Sequence, residues 1–144
     1  MAKGLAMSRA GPLRLKIMLY CGDVTAMGPG KAELLDAIDR EGSISGAGRA
    51  MGMSYRRAWM LVDTMNRCWT EPVVETAVGG GAKGGARLTA FGRRLLKAYR
   101  DLDARLMAAA ADGPFHDFEQ DLLAKPRPAA ASDGEGRDKG DTTH

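Results

Sequence analysis

Two adjacent arginines, Arg56 and Arg57, stand directly behind Ser54 and Tyr55 at the head of a stretch with helical spacing. A serine that caps a helix fixes where the helix begins, so the residues behind it occupy the first turn. Guanidinium groups presented there have a definite chemistry. Arginine bonds bidentately to guanine O6 and N7, and each good pair is worth about 1 to 3 kcal/mol of base discrimination. The bland counterpart is a pair of solvated arginines. Arg49, slightly upstream, fits a phosphate contact or an exposed surface position equally well.

Other chemistries are poorly served by this chain. Gly79-Gly80-Gly81-Ala82-Lys83-Gly84 matches G-x-G-x-x-G, a dinucleotide-site signature. That motif must open a helix within a βαβ unit, whereas Ala86 to Thr89 reads as a returning strand. Gly30-Lys31 lacks both the upstream glycine and the following Ser or Thr of a phosphate-binding loop. Cys21 and Cys68 form no CxxC, and the chain's two histidines, His116 and His144, both fall near its end. No zinc pattern and no Cys-His nucleophile results, and the cysteines read as small core residues. The segment rich in basic residues offers no convergent carboxylate pair and no nucleophile with a neighbouring base, so the expectation is no catalytic residue, no metal, no cofactor and no enzyme activity.

Charge supports the arginine reading through its distribution. The 144 residues carry a net charge of only +3. Between Ser43 and Arg100, however, there are ten basic residues against three acidic ones (Asp63, Glu71, Glu75). A basic centre between acidic ends matches a surface that neutralises phosphates and releases counterions. The length favours one domain, and no apolar run approaches the ~18 residues of a membrane span. Lys3, Arg9, Arg14 and Lys16 break up any secretion-signal core, so the expected location is cytoplasmic.

The elements that must position these residues follow from periodicity. Residues 1–12 are expected to be flexible, and Leu13, Leu15, Ile17 and Leu19 alternate with more polar neighbours as in a half-buried strand. Cys21 to Gly30 reads as a loop. A first helix is expected over Lys31 to Glu41, with Gly42 as its left-handed cap, then a short one from Ile44 to Met51 behind Ser43. Ser54 caps a third, from Tyr55 to about Cys68, whose Ala58, Leu61, Val62 and Met65 share one face. Two helices separated by so tight a turn form a helix-turn-helix pattern. Val73 to Val78 and Arg87 to Thr89 make a hairpin around the glycine-rich tip, where Lys83 and Arg87 can reach phosphate or the minor groove. Thr89 caps a long helix to about Ala111, striped by Phe91, Leu95, Ala98, Leu102 and Leu106. A short amphipathic helix fits within residues 112–125, and residues 126–144 have the composition of a disordered tail. The fold class expected is mainly α with a small β-hairpin wing, a winged helix-turn-helix spanning residues 13–111.

At Gly42-Ser43-Ile44-Ser45 and Gly52-Met53-Ser54-Tyr55-Arg56-Arg57-Ala58-Trp59 the sequence resembles the N-terminal DNA-binding domain of the molybdate-responsive ModE regulators. Asp63 to Asn66, Pro72 to Glu75, Gly79 to Gly85, Leu88-Thr89 and Gly92 extend the likeness over about Leu13 to Leu106. Ala47, Met51, Met53, Ser54 and Val62 give a more distant similarity to the LysR winged helix. The resemblance implies a homodimeric transcriptional regulator that binds double-stranded DNA at a palindromic operator, in molybdenum-related gene control. The DNA-binding residues expected are Ser45, Ser54, Tyr55, Arg56, Arg57, Lys83 and Arg87. Leu95, Tyr99, Leu102 and Leu106 are expected at the dimer interface, with an intramolecular core role as the alternative. The family's regulators carry C-terminal molybdate-binding modules, which the residues after Leu106 are expected to be too few and too polar to supply; the expectations are a regulator without its own molybdate-sensing domain, a separate effector-sensing protein partner held through Phe115 to Leu123, or a response to a different signal. A winged-helix protein–protein interaction module is the alternative function. Trp59 is expected to pack at the base of the hairpin.

Overall fold

The computed structural model describes residues 13–77, 84–111 and 113–130, together with the backbone of 8–10. Its elements are β1 (Ser8–Ala10), β2 (Leu13–Leu15), β3 (Leu19–Cys21), β4 (Val24–Met27), α1 (Pro29–Glu41), α2 (Ile44–Ala50), α3 (Tyr55–Cys68), β5 (Val74–Thr76), β6 (Ala86–Leu88), α4 (Ala90–Ala110) and α5 (Pro114–Asp121). The strands form three antiparallel pairs, β1 with β2, β3 with β4 and β5 with β6. The fold is mainly α with a small β5–β6 hairpin behind a helix-turn-helix, as expected of a winged helix.

Helix starts obey local chemistry. Ser43 Oγ accepts from Gly46 N at 2.9 Å, Ser54 Oγ from Arg57 N at 3.1 Å and Thr89 Oγ1 from Gly92 N at 2.8 Å. Each replaces one of the hydrogen bonds a first turn lacks. The turns after α1 and α2 close on Gly42 (φ 77°) and Gly52 (φ 70°), in the left-handed region that side chains disfavour.

The core gathers around α1. Leu34, Leu35 and Ile38 are fully buried against Met27, Met65 and Val73. Burying each of the larger side chains contributes about 1.5 to 3 kcal/mol relative to exposure. Ala58, Val62 and Met65 are the buried face of α3. Polar links then fix how the helices meet the hairpin. Asn66 Oδ1 accepts from Val73 N at 2.7 Å and Val74 N at 3.1 Å, and its Nδ2 donates to Val74 O at 3.1 Å. Thr89 N donates to Val73 O at 3.0 Å. At Gly92 a Cβ would stand 2.2 Å from Val73 O, so only glycine lets α4 approach β5 this closely. On the other edge of the hairpin, Ala86 N donates to Gly42 O at 2.9 Å.

Several expectations need correcting. The single strand from Leu13 to Leu19 is broken into β2 and β3, because Ile17 O accepts from the Tyr99 hydroxyl at 2.9 Å and the chain packs Ile17 on the core. The loop from Cys21 to Gly30 contains β4, which folds back on β3 through Gly22 (φ 63°), and α1 begins at Pro29. A strand, β1, lies in the segment expected to be flexible. Cys21 is exposed and Cys68 partly so, neither belonging to the buried core. Of the glycine-rich tip only Gly84 and Gly85 are described, and Lys83 lies outside the described residues, as do 131–144 of the tail.

Replacing Asn66 by Ala leaves the Val73 and Val74 amides without their partner at a partly buried site, at about 1 to 3 kcal/mol for each unsatisfied group. The urea midpoint of Asn66→Ala falls accordingly. Gly92→Ala loses at least about 1 kcal/mol through overpacking. Wild-type midpoints in both variants would refute this account of the hairpin.

Candidate nucleic-acid interface

The spacing of Ala58, Val62 and Met65 buries one side of α3 and thereby turns the other outward. Ser54, Tyr55, Arg56, Arg57, Trp59 and Met60 are all exposed there. Both arginines stand in or beside the first turn set by Ser54, projecting from a helix whose back is held by the core. No described carboxylate forms an ion pair with Arg49, Arg56 or Arg57. Three cations of α4 are engaged. Arg93 meets Asp39 at 3.0 Å, Lys97 meets Asp101 at 3.1 Å, and Arg100 pairs with Asp36.

Lys31, half-buried in the first turn of α1, was not singled out by the sequence. Partial burial draws its pKa below the ordinary lysine value of 10.5; the Cys68 thiol opposes that shift and the positive charge of Arg57 reinforces it. Its burial arises from tertiary packing, for which the sequence carries no local signal.

Between α3 and the hairpin lies a cleft of about 290 Å³, lined by Ile44, Ser45, Tyr55, Trp59, Thr76 and Gly85. Ser45 is half-buried on α2, and the cleft brings it beside Tyr55. Trp59 faces the base of the hairpin yet stays 46% exposed. Arg87, opposite Glu75 in the β5–β6 register, is held by that carboxylate at 2.7 Å. The structure thus brings Ser45 and Tyr55 to one cleft and leaves Ser54, Arg56 and Arg57 exposed at the head of α3, with Arg87 already paired on the wing.

The residues expected at a dimer contact divide. Tyr99 is buried, its hydroxyl donating to Ile17 O, and that burial pushes its pKa up so that it remains a donor. Leu95 packs at the edge of the same core. Leu102 and Leu106 are exposed, and Leu106 borders an apolar cleft of about 860 Å³ shared with Leu15, Phe115, Phe118 and Leu122. Among the described residues no group of His, Cys, Asp or Glu is placed to hold a metal ion, and no helix is long and apolar enough to cross a membrane.

Comparison with known proteins finds relatives of part of this chain. The chain is 42% identical over 85 residues to the molybdenum transport protein ModE of Azotobacter vinelandii, covering 59% of this chain and 32% of that protein. It is 49% identical over 78 residues to the molybdenum-pterin-binding protein MopB of Rhodobacter capsulatus, covering 54% and 29%. It is 40% identical over 84 residues to the DNA-binding transcriptional dual regulator ModE of Escherichia coli, covering 58% and 32%. The chain thus spans about a third of the length of these curated relatives, and is ModE-like over that span. No family model matches it.

Ser54→Ala removes the α3 cap and lowers stability by about 1 kcal/mol. Thermal unfolding followed by circular dichroism checks this, and an unchanged midpoint would show that the cap contributes nothing.

Proposed function

We propose that this chain is a sequence-specific DNA-binding transcriptional regulator of the ModE type, acting as a cytoplasmic homodimer in molybdenum-related gene control. One observation carries the reading: Arg56 and Arg57 project from the first turn of a helix whose opposite face is buried, with no described carboxylate paired to either. A B-DNA major groove is about 12 Å wide and admits one such helix. Inserted there, α3 directs Ser54, Tyr55, Arg56 and Arg57 at base edges while α2 crosses the backbone. The wing contributes Lys83 to phosphate, and Arg87 once it is shared with Glu75. The similarity to a protein named as a DNA-binding transcriptional regulator points the same way.

The two-fold contact of the proposed dimer runs over Leu102 and Leu106 and into the neighbouring apolar cleft. Leu95 and Tyr99 serve the chain's own core and support that surface from beneath. Recognition helices related by such an axis read half-sites about 34 to 36 Å apart, or a multiple of that.

Anisotropy titrations with DNA from upstream of the chain's own gene test the assignments. Arg56→Ala or Arg57→Ala weakens the preferred site by about 1 to 3 kcal/mol more than random DNA. Lys83→Ala weakens all sequences alike and reduces the salt slope by about 1. Equal losses on both kinds of DNA for all three variants would refute the base-reading role. Leu106→Asp shifts the wild-type dimer to monomer in light scattering, and an unchanged mass would remove Leu106 from the interface.

A further inference from the structure

The outward side of α3 carries an apolar residue that the proposed function does not use. Arg56, Met60, Asp63 and Arg67 follow one another four, three and four residues apart, on the side of the helix opposite buried Ala58, Val62 and Met65. Met60 is 51% exposed and belongs neither to the core nor to the side chains packed against it. The nearby aromatics turn elsewhere, Tyr55 and Trp59 lining the cleft toward the hairpin. A single exposed apolar side chain is ordinary on a protein surface. Met60, however, stands one turn behind Arg56, on the line of α3 that the proposed complex turns into the major groove.

What a methionine meets there follows from the base edges. It has no donor, and its sulfur is only a weak acceptor, so it cannot read a base pair as arginine does. The apolar group that base pairs present in the major groove is the C5-methyl of thymine. An unbranched, polarizable thioether adapts its shape to such a group. At a rise of about 1.5 Å per residue, Met60 lies about 6 Å along the helix axis from Arg56, against about 3.4 Å per base pair. The carboxylate that comes next on this line is already engaged. Asp63 accepts from Arg67 Nε at 3.0 Å, which offsets the repulsion it would exert on nearby phosphates.

We propose that Met60 is a specificity-determining residue, which packs its thioether on the C5-methyl of a thymine within about two base pairs of the guanine that Arg56 reads. Resting on the DNA-reading role proposed for α3, this contact adds a preference for thymine at a set distance from guanine, made by apolar packing rather than by hydrogen bonds.

The test uses the full chain, which first selects its preferred sites from random-sequence duplex DNA. Each thymine of a selected site is then replaced singly by uracil, which removes only the methyl group. At a thymine within about two base pairs of the guanine whose preference Arg56→Ala loses, uracil weakens wild-type binding about fourfold, as expected for one methyl-sized group returned to water. Met60→Ala binds the thymine and uracil duplexes equally and keeps the guanine preference, whereas Met60→Leu retains the discrimination. The uracil comparison on the wild-type chain stands whether or not a variant folds well. Met60 loses the role if uracil has no effect there, if selected sites lack thymine at those positions, if Met60→Ala still discriminates, or if the guanine preference follows Arg57 alone. Failure of the underlying reading gives a different result: the chain then selects no sequence, or neither Arg56→Ala nor Arg57→Ala alters the base preference.

Discussion

The carboxamide of Asn66 is the joint on which the rest of the molecule turns. It stands near the C-terminal end of α3 and satisfies two amides and one carbonyl of the chain entering the hairpin, at Val73 and Val74. A side chain with both an acceptor and a donor in one plane is needed, which Asn supplies and Asp or Leu does not. The Val73 carbonyl is used from the other side by Thr89, and Gly92 lets α4 press against it. Helix, hairpin and long helix are thus referred to one short stretch of backbone. The angle between the exposed face of α3 and the wing is consequently a property of packed groups rather than of loop lengths.

The electrostatics show a division of labour. Arg93 and Arg100 reach from α4 to Asp39 and Asp36 on α1, holding the long helix against the core by pairs that are partly exposed. Such pairs contribute little stability individually, typically under about 1 kcal/mol. Their more evident effect is to set two cations of α4 against carboxylates of α1.

What the sequence made legible was local. Ser43, Ser54 and Thr89 mark helix starts because capping involves residues only three apart, and α3 runs from Tyr55 to Cys68 as its apolar spacing indicates. Gly42 announces a left-handed turn for the same reason. Contacts between distant residues were not legible. The hydroxyl of Tyr99 finds Ile17 O, interrupting an alternation that otherwise reads as one strand. The β-branched signal of Val24 and Thr25 was hidden among Gly22, Gly28, Pro29 and Gly30, so the β3–β4 pair read as a loop. The partial burial of Lys31 is likewise a product of tertiary packing. At the candidate interface, residue types were readable from sequence; which of them are already engaged, as Arg87 is by Glu75, was not.

The chain's two tryptophans sit in opposite settings. Trp69 has its N–H bonded to Ala26 O and its ring 6.4 Å from that of Phe91, partly shielded from water. Trp59 lies open in the cleft beside Tyr55. The intrinsic emission of the protein is therefore the sum of a shielded, blue-shifted indole and a hydrated, red-shifted one. The molecule carries its own optical reference and reporter, the former tied to the integrity of the core and the latter to whatever occupies the groove between helix and wing.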